Sequence, residues 1–410
     1  MNNRISIKEK KEVVIDPTVV DFLNPDFLYI PITRDDTIKV KTNSEVYKEQ
    51  LIVKSARGDV YSPVSGKVIG KTSSMLVGNQ KMDCMVIEND FREKTKKRMS
   101  ATKYIHDFEK EEMLDLIEKY NVCHHPITTK GKTLLINGID SDPYEHTYSY
   151  LINTHGAKIL ETIDALCSIL EVETTILAIT NNDTRNVISL TNNIGTYPNI
   201  TLKLLPDIYP MGFKDILIKN VLSKKQISKG FTYLTVQDIY NIYNVLKRKK
   251  SMTEKLVTIS GNAVEQPLVA NVKIGSSMAD IIKNCCDVVN RKYFIVVNGL
   301  LAGRTLKSLN SVMTSDIRSI FLSVKDEAIE KKCINCGMCK TTCENKTGIN
   351  YNREEVLEPI CINCGQCILS CPTGALVPKY DYGKVLEYLS DPNYTVIVSI
   401  APSVRVALGD

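Results

Sequence analysis

Eight of the cysteines in this 410-residue chain lie in two repeated segments. The first segment reads CINCGMCKTTC from Cys333 and the second reads CINCGQCILSC from Cys361, so each has the spacing Cys-x-x-Cys-x-x-Cys-x-x-x-Cys. Three thiolates this close together can surround one corner of an iron–sulfur cubane, because a tight loop turns all of them inward. Gly337 and Gly365 lie inside these loops, where the backbone must approach inorganic sulfide closely. The spacing therefore predicts two [4Fe–4S] clusters.

The fourth ligand of each cluster is expected to come from the other repeat, as it does in two-cluster ferredoxins. This exchange assigns one cluster to Cys333, Cys336, Cys339 and Cys371, and the other to Cys361, Cys364, Cys367 and Cys343. Pro372 follows the last cysteine, as in the ferredoxin pattern, whereas Glu344 follows Cys343. The alternative is a pair of structural zinc sites with four cysteine ligands each. Zinc ligands usually come as two separated pairs, and three cysteines within seven residues do not have that spacing.

The rest of the composition indicates a folded protein in a reducing compartment. The chain has 13 cysteines, an odd number, and no export signal at its start, so a disulfide framework is not expected. Hydrophobic residues make up 43% and charged residues 24%, which is typical of a globular protein. The net charge of +5 is too small over this length to indicate a nucleic-acid partner, and no apolar run could span a bilayer. We therefore expect a cytoplasmic protein, for which any contact with a membrane would have to come through a partner.

The elements that must position the clusters fall into several domains. Short strands separated by Gly and Pro predict a β-rich domain over residues 27–90. Strands that alternate with helices, beginning with TLLIN at 133–137, predict a parallel-sheet α/β domain over residues 91–250. Strands around one helix at 277–287 predict a small α+β domain over residues 251–328. The predicted fold class is therefore multidomain α/β and α+β.

The two ends of the chain flank these domains. Residues 1–26 are expected to be an N-terminal extension that is charged and loose at its start. Residues 329–380 form the cysteine-rich domain, with a bacterial-ferredoxin-like dicluster fold. Residues 381–410 include a strand-like run, YTVIVSI at 394–400, that has no domain to close against. These last residues are interpreted as the start of a further, truncated domain.

The order of these parts resembles the C subunit of the Rnf electron-transport complex, which is similar in turn to the flavoprotein subunit of respiratory NADH dehydrogenase. The resemblance covers residues 27–378. Its segments before the cysteine repeats are Ser62-Pro-Val-Ser-Gly66, Ile136-Asn-Gly-Ile-Asp-Ser-Asp-Pro-Tyr144, Tyr209-Pro-Met-Gly212 and the strand-rich stretch LVTISGNAV from Leu256. It implies a β-grasp-like domain over residues 251–328.

The first of these segments also resembles the turn of biotinyl and lipoyl domains, which implies a barrel-sandwich hybrid for residues 27–90. Val64 and Ser65 stand at the tip of the turn, where those domains carry the lysine that is modified. We therefore expect a structural role for this domain and not a carrier role.

In the Rnf family, a glycine-rich loop before the segment INGxxxxPY holds the phosphates of flavin and NADH. The corresponding residues 118–131 have no glycine cluster, and two histidines and a cysteine stand in its place, where they would crowd a pyrophosphate. Asp140 and Asp142 keep acidity where the family carries glutamates, and they are the candidate residues of a residual flavin or nucleotide site. The expected cofactors are two [4Fe–4S] clusters, and FMN is disfavoured.

The last residues resemble the junction of iron-only hydrogenases, where a two-cluster ferredoxin domain leads into the catalytic domain. The stretch Ala401-Pro-Ser-Val-Arg-Val-Ala-Leu-Gly409 is similar to the opening of that catalytic domain. No cysteine follows Cys371, so the chain is expected to hold no complete catalytic site.

The main functional prediction is an electron-transfer protein whose clusters relay single electrons from a reduced donor to a partner redox domain, such as an iron-only hydrogenase. The expected partners are ferredoxin, a hydrogenase catalytic domain or Rnf-like membrane subunits, with no nucleic acid. One alternative is an NADH-dependent FMN oxidoreductase subunit of the Rnf type, in which the flavin converts a hydride into single electrons. The other alternative is an adaptor whose clusters are structural.

Overall fold

The computed structural model describes residues 19–56, 58–96, 103–123, 127, 131–181, 184–248, 250–289, 293–300, 303–324, 337–342, 365–372, 376, 385, 388–389, 393–402 and 404. The chain forms two compact units, residues 1–325 and residues 326–410. Several sheets with helices between their strands confirm the predicted mixed α/β architecture. Among the residues described, no helix is long and apolar enough to cross a membrane.

The amino-terminal region consists of short strands. They are β1 (Val19–Phe22), β2 (Phe27–Pro31), β3 (Thr37–Ile38), β4 (Glu45–Val46), β5 (Leu51–Lys54), β6 (Val60–Tyr61), β7 (Gly66–Thr72), β8 (Leu76–Val77), β9 (Gln80–Lys81) and β10 (Cys84–Asn89). An antiparallel sheet has the order β2-β10-β7-β4, and a second has the order β3-β5-β6. Leu28, Ile52 and Ile87 belong to the apolar core that these strands share.

The turn between β6 and β7 is buried. Ser62 and Ser65 have an exposed fraction of 0%. The Ser65 hydroxyl donates to Asp90 Oδ1 at 2.6 Å, and a Cβ added at Gly66 would lie 1.9 Å from the carbonyl oxygen of Glu88. A turn held in this way does not present a side chain for modification.

The next region is a parallel sheet with its helices. It contains α1 (Lys110–Lys119), β11 (Thr133–Asn137), α2 (Thr147–Leu170), β12 (Thr174–Thr180), α3 (Thr184–Ile194), β13 (Ile200–Leu205), α4 (Lys214–Val221), α5 (Lys224–Ser228), β14 (Phe231–Thr235) and α6 (Val236–Arg248). The four strands are parallel, in the order β13-β12-β11-β14. Every residue of β11 is buried, because helices cover both faces of the sheet. The predicted parallel sheet is confirmed.

The third region is a six-stranded mixed sheet. Its strands after β1 are β15 (Glu254–Ser260), β16 (Leu268–Lys273), β17 (Tyr293–Val297), β18 (Arg304–Leu306) and β19 (Ser319–Val324), and α7 (Met278–Cys285) packs on them. The order is β1-β16-β15-β19-β17-β18. Residues 19–22, assigned from the sequence to the N-terminal extension, form the edge strand β1, with Val19 opposite Val269 of β16. Four residues are too few to show a strand period, so this strand has no clear sequence signal.

The second unit contains two short helices, α8 (Met338–Thr342) and α9 (Gln366–Leu369). The predicted strand at 394–400 is wrong, because these residues have no regular secondary structure in the described part of the chain. Ile397 is 86% exposed and Val398 is 72% exposed. β-Branched residues favour extended backbone, but a strand also needs a neighbour that accepts its hydrogen bonds.

Replacing Gly66 with Ala should destabilise the amino-terminal sheets, because the new Cβ would overlap the backbone of Glu88. The free energy of unfolding should fall by about 3 kcal/mol, as it does at other overpacked positions. The control is Gly195→Ala, where an added Cβ meets nothing within 4 Å. Urea unfolding followed by circular dichroism measures both variants, and equal midpoints would contradict the packing described.

Candidate functional site

The described parts of the two cysteine repeats have the same backbone conformation. Gly337 and Gly365 have φ angles of 71° and 73°, and each precedes a short helix, α8 or α9. In both repeats the N–H groups three and four residues after the glycine donate to the glycine carbonyl, at 3.0 and 3.2 Å. Left-handed backbone is open to glycine at little cost, so both repeats use glycine for this turn.

The helices bring one cysteine of each repeat into the same region. Cys339 is the second residue of α8, Cys367 is the second residue of α9, and the two helices contact each other. Cys339 is buried, and Cys367 and Cys371 are half-buried. Two repeats in contact are what cluster ligation across repeats requires. The other predicted ligands, Cys333, Cys336, Cys343, Cys361 and Cys364, lie outside the described residues.

A second candidate site lies at the carboxyl edge of the parallel sheet, in the loop from β11 to α2. The Asn137 amide donates to the Gly212 carbonyl at 2.8 Å and to the Tyr233 hydroxyl at 2.9 Å. A Cβ added at Gly212 would lie 2.6 Å from the carbonyl oxygen of Asp140. Two of the segments that carry the family resemblance, 136–144 and 209–212, therefore pack directly on each other.

The mixed sheet supplies a third of these segments to the same loop. The Thr258 hydroxyl of β15 accepts the His146 N–H at 2.9 Å, and the Ser260 hydroxyl donates to the Tyr144 carbonyl at 3.1 Å. The loop is therefore enclosed between the parallel sheet and the mixed sheet. Segments far apart in the sequence form one buried polar region.

Asp140, a predicted cofactor residue, caps the start of α2. Its Oδ1 accepts the Tyr148 N–H at 2.8 Å, and its Oδ2 accepts the N–H of Ser149 at 3.1 Å and the hydroxyl of Ser149 at 2.8 Å. These amides belong to the second and third residues of α2 and have no acceptor within the helix. The carboxylate therefore satisfies them and faces the positive end of the helix dipole.

Asp142, the other predicted cofactor residue, is packed between the loop and the mixed sheet. It is 4% exposed, and its Oδ1 accepts the Tyr144 N–H at 3.1 Å. Gly299 has a φ of 96°, and a Cβ there would lie 2.7 Å from the Asp142 carboxylate. Asp140 and Asp142 thus lie in the same loop, and both are engaged by the chain itself.

An acid and a base from different regions meet beside this loop. Glu145 accepts the Ser319 hydroxyl at 2.8 Å and the Ser141 N–H at 3.2 Å. Arg318 Nε lies 3.7 Å from Glu145 Oε1. Burial raises the pKa of Glu145 above its ordinary value, although Arg318 opposes this shift. This pair links the parallel-sheet region to the mixed sheet.

A second cation and a further carboxylate lie in the same region. The Lys255 ammonium donates to the Ser315 carbonyl, and burial lowers the pKa of Lys255 to about 8 although Asp238 favours its charged form. Asp238 is fully buried near the start of α6, where its Oδ2 accepts the Thr235 N–H at 2.9 Å. We call the region at the carboxyl edge of the parallel sheet the crevice. Its charged residues, the crevice charges, are Asp140, Asp142, Glu145, Asp238, Lys255 and Arg318.

Four of the crevice charges were not identified from the sequence. Lys255 is the second residue of β15 and is followed by five buried residues, and a lysine in such a strand was the one available signal. Glu145, Asp238 and Arg318 lie at the ends of elements, where charged residues are common and give no signal.

Two family models match the chain. The Nuo51 FMN-binding domain matches residues 119–246, which hold all four strands of the parallel sheet and its carboxyl edge. The 4Fe-4S binding domain matches residues 356–377, which hold the second cysteine repeat. The second match places the chain in the class of iron–sulfur proteins.

The curated relatives define the resemblance further. The C subunit of the proton-translocating ferredoxin:NAD(+) oxidoreductase complex of Clostridium ljungdahlii is 23% identical over 350 residues, 78% of this chain and 76% of that protein. The C subunit of the ion-translocating oxidoreductase complex of Buchnera aphidicola is 24% identical over 336 residues, 75% of this chain and 69% of that protein. The predicted resemblance to the C subunit of the Rnf complex is therefore confirmed.

A solved structure, an NAD+-reducing [NiFe]-hydrogenase in the air-oxidized state, aligns with a TM-score of 0.44 and 14% identity. The alignment covers 55% of this chain and 48% of that one.

Replacing Asp140 with Ala should destabilise the first unit by about 1 to 2 kcal/mol, because two amides at the start of α2 lose their acceptor. Asp140→Asn is the control and should lose less, since its remaining oxygen still accepts one amide. Thermal unfolding compares the two, and an Ala variant as stable as the wild type would exclude the capping role.

Replacing Lys255 with Met should change how stability depends on pH. The pKa of this amine is about 8 in the folded chain against an ordinary 10.5, so the unfolded chain binds more protons between these values. The wild type should therefore gain stability as pH rises from about 8 to about 10.5, and the Met variant should lose this part of the slope. Unfolding free energies across this range measure the slope, with the exposed Lys283→Met as control; identical slopes would contradict the buried position of Lys255.

Proposed function

We propose that the chain is an electron-transfer subunit of an Rnf-type oxidoreductase, in which two [4Fe–4S] clusters relay single electrons. The pair of cysteine repeats carries this proposal, supported by the 4Fe-4S match at 356–377. The similarity to the C subunits of translocating complexes extends over about three quarters of the chain, which indicates the setting in which the relay works.

The proposed ligand sets keep the exchange between repeats. Cys333, Cys336, Cys339 and Cys371 hold one cluster, and Cys361, Cys364, Cys367 and Cys343 hold the other. The contact between α8 and α9 supports a short distance between the two clusters. Neighbouring cubanes can pass an electron from one to the other, so the pair works as one path.

The partners we propose are ferredoxin and the other subunits of such a complex, through which the chain would meet a membrane. The comparisons do not support the prediction of an iron-only hydrogenase as the destination of the electrons. The relatives reported above are subunits of proton- or ion-translocating complexes. A short similarity at 401–409 was too little sequence to define a partner.

The second candidate is a flavin-dependent input, favoured by the FMN-binding family match at 119–246. When bound, a flavin would supply the conversion of a hydride into single electrons. Among the described residues, the start of α2 already carries Asp140, so it offers no open amide pair to a phosphate. We therefore keep the relay as the proposed function and make flavin content part of its test.

The test is the cofactor content of the chain after anaerobic purification. Two cubanes predict about eight irons and about eight acid-labile sulfides per chain. Stoichiometric FMN beside the same iron would favour the flavin-dependent input instead. Zinc in place of iron, even after reconstitution, would contradict electron transfer by this chain.

Replacing Cys339 with Ser should remove one cluster and lower the iron content by about half. The control is Cys286→Ser, a half-buried cysteine outside the repeats. Iron analysis and electron paramagnetic resonance of the reduced protein measure the loss. Unchanged iron in the Cys339 variant would refute the ligand assignment, and clusters that cannot be reversibly reduced would favour a structural adaptor.

A further inference from the structure

We infer that the crevice at the carboxyl edge of the parallel sheet, where a sheet of this topology would receive a flavin, is occupied by the crevice charges. The first unit therefore folds without flavin and does not need it for its role. The inference rests on the proposed function in one respect, since it leaves the proposed clusters to carry the electrons. Under this inference, the FMN-binding family match reflects the fold of residues 119–246 and not a bound flavin.

The topology fixes where the ligand of such a sheet belongs. The chain proceeds from β11 to β12 and β13 on one side, and then returns to place β14 on the other side of β11. Ligands of open α/β sheets bind at this switch point, outside the carboxyl ends of the strands. The helix α6 follows β14 directly, and α2 is the next helix after β11, so both begin at the crevice.

Both helix starts are already occupied by carboxylates of the chain. Asp140 accepts the Tyr148 and Ser149 amides of α2. At α6, the Thr235 hydroxyl accepts the Asp238 N–H at 3.1 Å while Asp238 accepts the Thr235 N–H, a reciprocal capping box. Three amides at these helix starts, those of Tyr148, Ser149 and Asp238, therefore already have partners and are not open to a phosphate.

The charge in the crevice also opposes a phosphate. Among the described residues the crevice charges comprise four carboxylates and two cations, Lys255 and Arg318. Arg318 faces Glu145, and Lys255 is hydrogen-bonded to a backbone carbonyl. A phosphate monoester brings about two further negative charges at neutral pH. Burying these two charges in the crevice without new cations would cost more free energy than the contacts to the phosphate would recover.

Among the described residues, two buried polar atoms near the crevice have no hydrogen-bond partner, Arg318 Nε and Gln237 Oε1. Arg318 Nε faces the carboxylate of Glu145 at 3.7 Å. Gln237 Oε1 is an acceptor, which repels the oxygens of a phosphate. These atoms therefore do not indicate a missing flavin phosphate.

The crevice is also closed from above by the mixed sheet. Gly299 approaches the Asp142 carboxylate so closely that not even a methyl group fits between them. Ser319 bonds Glu145, and Thr258 bonds the backbone of His146. A flavin ring would have to displace these contacts, because the mixed sheet and the loop already lie against each other.

The experiment is a flavin titration of the full chain, reconstituted anaerobically with iron and sulfide. FMN and riboflavin are added separately, and binding is followed by quenching of flavin fluorescence and by equilibrium dialysis. The inference predicts no saturable binding of either compound and no shift of the thermal midpoint. Stoichiometric binding of FMN would overturn it, and so would binding of riboflavin, since the ring alone would then fit the crevice.

A variant with two fewer negative charges shows whether flavin is excluded by the filled space of the crevice or only by charge repulsion. Asp140→Asn combined with Glu145→Gln keeps the shape of both side chains and removes two negative charges. This variant should still bind no flavin, because the crevice stays filled, and flavin binding by it would overturn the inference. The matched control is Asp115→Asn with Glu118→Gln on the exposed face of α1.

The same samples are assayed for iron and reduced with dithionite, which keeps the two proposals distinguishable. A chain that holds reducible clusters and binds flavin would overturn this inference and leave electron transfer standing. A chain that binds no flavin and takes up no iron would overturn the proposed function and leave the filled crevice standing.

Discussion

The enclosure of the β11–α2 loop between two sheets is the constraint on which the first unit depends. Water does not reach the buried polar groups of this loop, so the chain itself must satisfy them. Asn137 does so toward the 209–212 segment, Asp140 toward α2 and Glu145 toward the mixed sheet. These bonds, with those from β15, join three segments that are far apart in the sequence, 136–144, 209–212 and the stretch from Leu256, into one packed region.

The cysteine repeats are organised by a different local structure. Each uses a glycine in left-handed conformation to start a short helix that carries a cysteine at its second position. Apolar cores and buried polar contacts hold the first unit together, whereas the second unit carries the cysteines that we propose as cluster ligands. We therefore propose that redox chemistry belongs to the cysteines and that the sheets provide the framework.

The sequence predicted those features that have a period or a strict spacing. The cysteine repeats and the buried strand β11 are visible because their residue types alone are restrictive. Strand β1 was missed because its formation depends on pairing with β16, which lies far away in the sequence. The run at 394–400 was predicted to be a strand from β-branched residues, yet no neighbour pairs with it in the described part of the chain. The crevice charges were missed because burial of a charge is decided by packing from distant segments.

We propose that two clusters held by the cysteine repeats carry electrons. A potentiometric titration of the anaerobically purified chain, followed by electron paramagnetic resonance, tests it most directly. We expect two reversible one-electron reductions, with spectra that broaden when both clusters are reduced because the spins lie close together. An iron-loaded chain with no reversible signal at any accessible potential would contradict the relay.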